Sequence, residues 1–175
     1  QKLYPDTHLT LGPAIDDGFY YDFDFPVPVG DEHLKAIEKE MRVLLKTWKT
    51  FEGREVTTDE ARSLFSKNPY KLELIDDIIA RGEKITLYRS GDFEDLCRGG
   101  HIEDVTLMHP DAFKLTRVAG AYWRGDETKK MLTRIYGYAF ENKAALEANI
   151  HKIEEAKKRD HKKIGIELDL FTLSE

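Results

Sequence analysis

The sequence is short of the features that settle a protein's class at once. It has a single cysteine, Cys97, in 175 residues, which excludes an internal disulfide and makes a reducing, cytoplasmic compartment the expectation. No apolar run approaches the roughly 20 residues of a membrane span, and none has the layout of a signal peptide, so no membrane partner is expected. Positive charge is not in surplus: 27 Lys and Arg stand against 33 Asp and Glu, a net charge of −6. That balance excludes a protein that coats nucleic acid through its global charge, although a local basic stripe can still meet phosphates. There is no repeat, no low-complexity linker and no initiator methionine. "QKLYPDT" reads as the end of a helix stopped by Pro5, so a piece of a longer polypeptide is expected.

What is present is an α+β pattern, long enough to bury a core without metal or disulfide staples. "HLTLGPAIDDGFYYDFDFPVPV" alternates apolar and polar residues around Gly12-Pro13 and Asp17-Gly18, predicting a hairpin whose second strand covers about 18–25. Leu34, Ile37, Met41, Leu44 and Leu45 recur at helical spacing, predicting a helix over about 32–48 with Asp31 as N-cap. "FEGREVT" suits a short strand. Thr58 is the expected cap of a helix over 59–66, and a second helix is expected over 69–81, ended by Gly82. Between Ile85 and Ile135, β-branched and aromatic residues are divided by glycines, and "AFKLTRVAGAYWRG" and "KMLTRIYGYAF" read as paired strands. A last helix is expected over 142–163, with Leu146, Ile150, Ile153 and Ala156 inward and Gly165 at its end.

The densest chemistry lies in "EDLCRGGHIED". Cys97 and His101 are both good zinc ligands, yet they supply only half of a closed four-ligand site, and the other histidines show no second paired spacing. Three readings stay open from the residues themselves. Cys97 is a small buried hydrophobe and His101 a histidine satisfied by backbone; or the pair belongs to a metal site; or the loop hydrolyses or binds a ligand. The third gains from Asp92, Glu94, Asp95, Arg98 and two glycines within ten residues. Arg117, Tyr122, Trp123 and Arg124 mix stacking faces with positive charge, as a nucleotide site does, but aromatic residues alternating on a strand equally well build a core. The lysines of the last helix are interleaved with Glu154, Glu155 and Asp160, which favours a solvated, ion-paired face.

Four stretches together, "LYPDTHLTLGPAIDDGFYYDFD", "CRGGH", "LTRVAGAYWRGDETKKMLTRIYG" and "EEAKKRDHKKIGIELDLF", resemble the editing domain of bacterial-type threonyl-tRNA synthetases, which is related to that of alanyl-tRNA synthetases. The resemblance runs through nearly the whole chain. It implies an antiparallel sheet packed with several helices, an editing domain over 1–163, and the start of a connection to the aminoacylation core over 164–175. It also implies an activity: hydrolysis of serine wrongly esterified to the tRNA for threonine. The physical need is clear, because serine lacks only threonine's methyl group, and one such group gives a binding pocket only about 1–3 kcal/mol of discrimination.

By the same resemblance, Cys97 and His101 match one of two paired motifs in the family's site, and a His-x-x-x-His pair is expected immediately upstream of "QKLYPDT". The implied catalytic residues are His101, Lys71 of "NPYKLEL" and Asp95. The implied substrate-binding residues are Cys97, Arg98 and a tyrosine of "GFYYD", either Tyr20 or Tyr21. Cys97 is expected as a pocket wall or ligand rather than a nucleophile, because no base is assigned to it. Zinc on Cys97 and His101 is an option, and a metal-free water mechanism is equally open. Gly100 stands where the family loop usually has proline. The implied partners are the acceptor end of the threonine tRNA with its seryl ester and the rest of the synthetase chain. Nothing resembles the motifs that bind ATP and amino acid, so aminoacylation is not expected of this chain. The alternative reading is a non-hydrolytic module that holds the acceptor end or acts as a spacer.

Overall fold

The structure, a computed structural model, describes residues 1–16, 18–102 and 104–159. Two antiparallel sheets and four α-helices form within these residues. The main sheet contains β1 (His8–Leu9), β2 (Ala14–Ile15), β3 (Gly18–Asp24), β7 (Phe113–Tyr122) and β8 (Met131–Ala139). Its order is β1-β3-β8-β7, with β2 also paired to β3. The expected hairpin is therefore present, with its first strand broken at Gly12-Pro13. β7 and β8 pair as expected, with an irregularity between Leu115 and Arg117.

Alternation along β3 sends Phe19, Tyr21 and Phe23 to one face and Tyr20, Asp22 and Asp24 to the other. Phe19 and Phe23 join Leu34, Leu115 and Ile135 in a core against α1 (Leu34–Leu45). α1 is shorter than its periodicity predicts at both ends. Asp31 does not cap it: Asp31 opens a 3-10 turn, and its carboxylate accepts the Val118 amide at 2.6 Å. The Leu115 amide donates to Glu38 at 2.8 Å. β7 lies at the sheet edge, so its outward amides need partners, and satisfying them outranks capping a helix. Trp48 lies beyond the helix and stacks on Phe93, with ring centroids 6.0 Å apart.

The second sheet has the order β4-β5-β6, from β4 (Glu52–Val56), β5 (Ile85–Ser90) and β6 (Phe93–Leu96). Between β4 and β5 the chain forms α2 (Thr58–Leu64) and α3 (Pro69–Ala80). Thr57, not Thr58, caps α2, its hydroxyl accepting the Glu60 amide. Asn68 caps α3, and Pro69 sits where its missing N–H costs nothing. Ala61, Ile75 and Ile85 are the buried centre of this unit; a side chain like Ile75, wholly enclosed, contributes about 1.5–3 kcal/mol. A third cluster, Tyr70, Trp123 and Leu132, joins α3 to the main sheet. α4 (Lys143–Lys158) buries Leu146 and half-buries Ile150 and Ile153, but Ala156 is exposed, contrary to expectation. Its predicted end near 163, Gly165 and the connection 164–175 lie outside the described residues. Among the described residues, no helix is long and apolar enough to cross a membrane.

Candidate active site

The two sheets meet around Asp95. Alternation along β6 and the residue that follows it puts Phe93, Asp95 and Cys97 on one side of the strand and Leu96, which packs on the α2–α3 unit, on the other. The Lys71 ammonium, from the first turn of α3, lies 2.7 and 2.8 Å from the two Asp95 oxygens. The Tyr21 hydroxyl donates to Asp95 at 3.1 Å, and the Leu96 amide donates at 2.8 Å. Tyr21 is held by an absence: its ring fills the place of a side chain at residue 12, where a Cβ would lie 2.0 Å from the ring. Only glycine permits that approach.

Burial pulls the Lys71 ammonium below the ordinary value of 10.5, and the Asp95 charge opposes that pull. Burial, reinforced by Asp95, raises the Tyr21 hydroxyl well above its usual range, so it stays a donor at neutral pH.

Cys97 is fixed by the second sheet: its amide donates to the Thr86 carbonyl at 3.2 Å, and the Thr86 hydroxyl donates to the Cys97 carbonyl. Gly99 and Gly100 then turn the chain through positive φ, 97° and 82°, which brings His101 back. The His101 Nε2 lies 3.3 Å from Cys97 Sγ. The imidazole is clamped between Phe51 and Tyr88, with ring centroids at 4.5 and 4.4 Å. Tyr88 reaches this position because Gly53, opposite it on β4, leaves room for its ring. Burial holds His101 below its ordinary 6.5, so the ring is neutral at pH 7. Among the described residues its Nδ1 is shut off from solvent without a partner, which leaves Nε2 as the nitrogen able to move a proton. A cavity of 840 Å³ lies between α1 and the main sheet; Tyr21, Trp48 and Phe93 line part of it, whereas Lys71, Asp95, Cys97 and His101 do not.

Over residues 85–136 the sequence matches the family described as the threonyl and alanyl tRNA synthetase second additional domain. The threonine–tRNA ligase of Nitratidesulfovibrio vulgaris is 51% identical over 177 residues, a match that takes in 100% of this chain and 27% of the relative. That of Dehalococcoides mccartyi is 51% identical over 98% of the chain, and that of Borrelia hermsii 48% identical over 99%. The chain belongs to the threonine–tRNA ligase family. It spans 27–30% of the length of these ligases, and the second additional domain that it contains is the region around β5 to β8.

Within this ligase region, the residues singled out from sequence separate into two sets. Lys71 and Tyr21 meet at Asp95, and Cys97, on the same side of that strand, meets His101. Tyr20 joins neither: it lies on the other face of β3, beside Tyr136 and under the Arg134 guanidinium. Arg98 is exposed and pairs with Glu83 at 3.3 Å. Trp123 and Arg124 are taken up in structure, Trp123 buried and donating to Glu73, Arg124 paired with Asp77. Tyr88, Phe51 and Gly53 were not anticipated. They reach His101 through cross-strand register and a loop, and no local motif marks them.

The Cys97 and His101 atoms stand at a separation close to the about 3.6 Å that two zinc ligands of ordinary bond length subtend in a tetrahedron. Asp95, two residues before Cys97, is committed to Lys71 and Tyr21. Among the described residues no third His, Cys, Asp or Glu joins the pair. The pair thus fits two corners of a zinc site and does not by itself complete one.

Proposed function

We propose that this chain is the part of a threonine–tRNA ligase that hydrolyses serine wrongly esterified to the tRNA for threonine, in the cytoplasm. The observation that supports it most is that Lys71 and Tyr21 both bond Asp95, while Cys97, on the same side of that strand, contacts His101: five residues drawn from three separate stretches.

In this reading a water molecule attacks the ester carbon while the neutral His101 Nε2 takes its proton. Negative charge gathers on the carbonyl oxygen, and the Lys71 ammonium, already fixed by Asp95, steadies it. The intermediate collapses with breakage of the ester C–O bond, and the imidazolium returns its proton to the departing ribose oxygen. The products are free serine and tRNA with its hydroxyl restored. Asp95 and Tyr21 act by orientation: the carboxylate holds the lysine, and the phenol holds the carboxylate. Threonine's additional methyl would have to displace part of the wall formed by Cys97 and its neighbours, so the correct ester is spared. If a zinc ion binds at Cys97 and His101, it supplies Lewis acidity at the same place.

The 3.3 Å contact between Cys97 and His101 favours a second reading, since it gives the thiol a base that sequence alone did not assign. The sulfur would then form a thioester with the serine before water releases it. Deacylation of seryl-tRNA by the wild type, His101→Ala and Cys97→Ala variants separates the two. Under the water mechanism, His101→Ala loses about 10²–10⁴-fold while Cys97→Ala retains turnover. A thioester mechanism loses turnover in both, and near-normal turnover in His101→Ala removes His101 from the reaction.

A further inference from the structure

The face of the main sheet turned away from Tyr21 carries a different chemistry. Strand register sets Tyr20 beside Tyr136 and Arg117 in one row, Gly18 beside Tyr138 and Lys114 in the next, and Asp22 beside Arg134 and Ala119 on the other side. Two guanidinium groups lie over two rings: the Arg117 Cζ is 3.9 Å from the Tyr136 centroid and the Arg134 Cζ is 3.9 Å from that of Tyr20. The two rings are neighbours, 5.7 Å apart. Arg134 is neutralised by Asp22, which accepts from it at 2.6 and 2.8 Å. Arg117 and Lys114 are exposed, and among the described residues no carboxylate pairs with either. Across these rows three cations face one carboxylate, in a chain whose net charge is −6. The following row adds Asp24, itself paired with Lys130.

We propose that this face, through Arg117 and Lys114, docks the phosphate backbone of RNA. The rings do not offer themselves to bases, because guanidinium groups already cover them. Stacking instead fixes Arg117 with its N–H edges outward, the geometry that meets a phosphate through two hydrogen bonds, and it lowers the side-chain entropy lost on binding. Lys114 stands about 7 Å farther along the strand and adds a point charge to the same track. The proposal rests on the reading that the ester substrate is carried by tRNA, and it assigns that RNA a second contact away from the reacting atoms.

The test is the salt dependence of binding of this chain to an uncharged tRNA transcript. Arg117→Ala and Lys114→Ala each reduce the slope of log K against log salt by about 0.7–0.9, one phosphate contact apiece. Arg117→Lys keeps the slope and binds more weakly, because charge is retained while the flat, two-bond geometry is lost. Lys84→Ala, at an exposed pair with Glu55 on the second sheet, changes neither. Unchanged slopes in both alanine variants, or no binding by the wild type, overturns the proposal. Equal displacement of the tRNA by polyglutamate also overturns it, since the face would then be a general acidic-ligand surface. Ester hydrolysis is followed on the same samples: lost hydrolysis with the slopes behaving as stated removes the catalytic reading alone, and intact hydrolysis with unchanged slopes removes this surface alone.

Discussion

The Lys71–Asp95 pair is the most demanding element of the site, and its two halves should not be equivalent. The side chains are 3% and 13% exposed, so both charges are largely out of water. Asp95 has three donors: Lys71, the Tyr21 hydroxyl and the Leu96 amide. Lys71 has Asp95 alone as its side-chain partner among the described residues. Asp95→Ala therefore strands a buried ammonium and should cost about 3–5 kcal/mol. Lys71→Met leaves the carboxylate two of its three donors and should cost about 1–3 kcal/mol. The double variant buries no unpaired charge, so it should be no less stable than Asp95→Ala, giving a coupling of about 2 kcal/mol. Urea unfolding at pH 7 reads all four corners of the cycle. The pH dependence supplies a sign. The folded Lys71 titrates below 10.5, so between its folded value and 10.5 the unfolded chain holds more protons, and stability rises with pH there. Removing Asp95 takes away the charge that opposes the downward pull, so that window widens downward and more of the lost stability returns in alkali. A Lys71→Met cost equal to or above that of Asp95→Ala, or strict additivity, would refute the reasoning.

Two further outcomes follow from the His101 loop. Gly99→Ala meets both a φ of 97° and the Tyr88 hydroxyl, 2.6 Å from the new Cβ, whereas Gly100→Ala meets only a φ of 82° with open space around it. Each should lose about 1–3 kcal/mol to backbone strain; Gly99→Ala should lose more, together with a larger share of seryl ester hydrolysis, and equal losses in melting temperature and rate would show that Tyr88 does not hold the loop. The rate should also be level at neutral pH and fall on an acid limb centred below 6.5, because burial holds the folded imidazole under that value. Stability follows in the same direction: below 6.5 the unfolded state takes up the proton first, so the folded state loses ground as pH falls. An acid limb centred above 6.5 would contradict the placement of His101.

Much of this was legible from residue pattern. Alternation in "GFYYDFD" requires that Tyr20 and Tyr21 face opposite ways, but it does not say which way. That is set by Gly12 on a neighbouring segment, whose missing side chain makes room for one ring. Local sequence does not fix the capping residue at two helices, for related reasons. Asp31 precedes a helical pattern but serves an exposed amide of β7 87 residues away in sequence, and Thr57 and Thr58 are equally good caps until backbone dihedrals choose between them. Ala156 fits the helical stripe, yet no described element covers that end of α4. The aromatic clamp on His101 is illegible because strand pairing brings Tyr88 to it and the segment just before β4 brings Phe51. Residue pattern marks Asp95 only as one of three acids beside Cys97, and Lys71 stands out only through family resemblance; nothing in their local sequence indicates that a lysine in the first turn of α3 reaches the end of β6.

The most direct measurement is single-turnover deacylation of threonine tRNA charged with serine, with the threonyl ester as control. It is carried out with this region as it stands and with the region in a longer ligase chain that includes the segment upstream of Gln1. Release of serine well above the spontaneous rate in the longer chain, with the threonyl ester spared and with loss in His101→Ala, is the predicted result. Spontaneous-rate loss of both esters in both chains would contradict the hydrolytic account and leave a module that only holds the acceptor end.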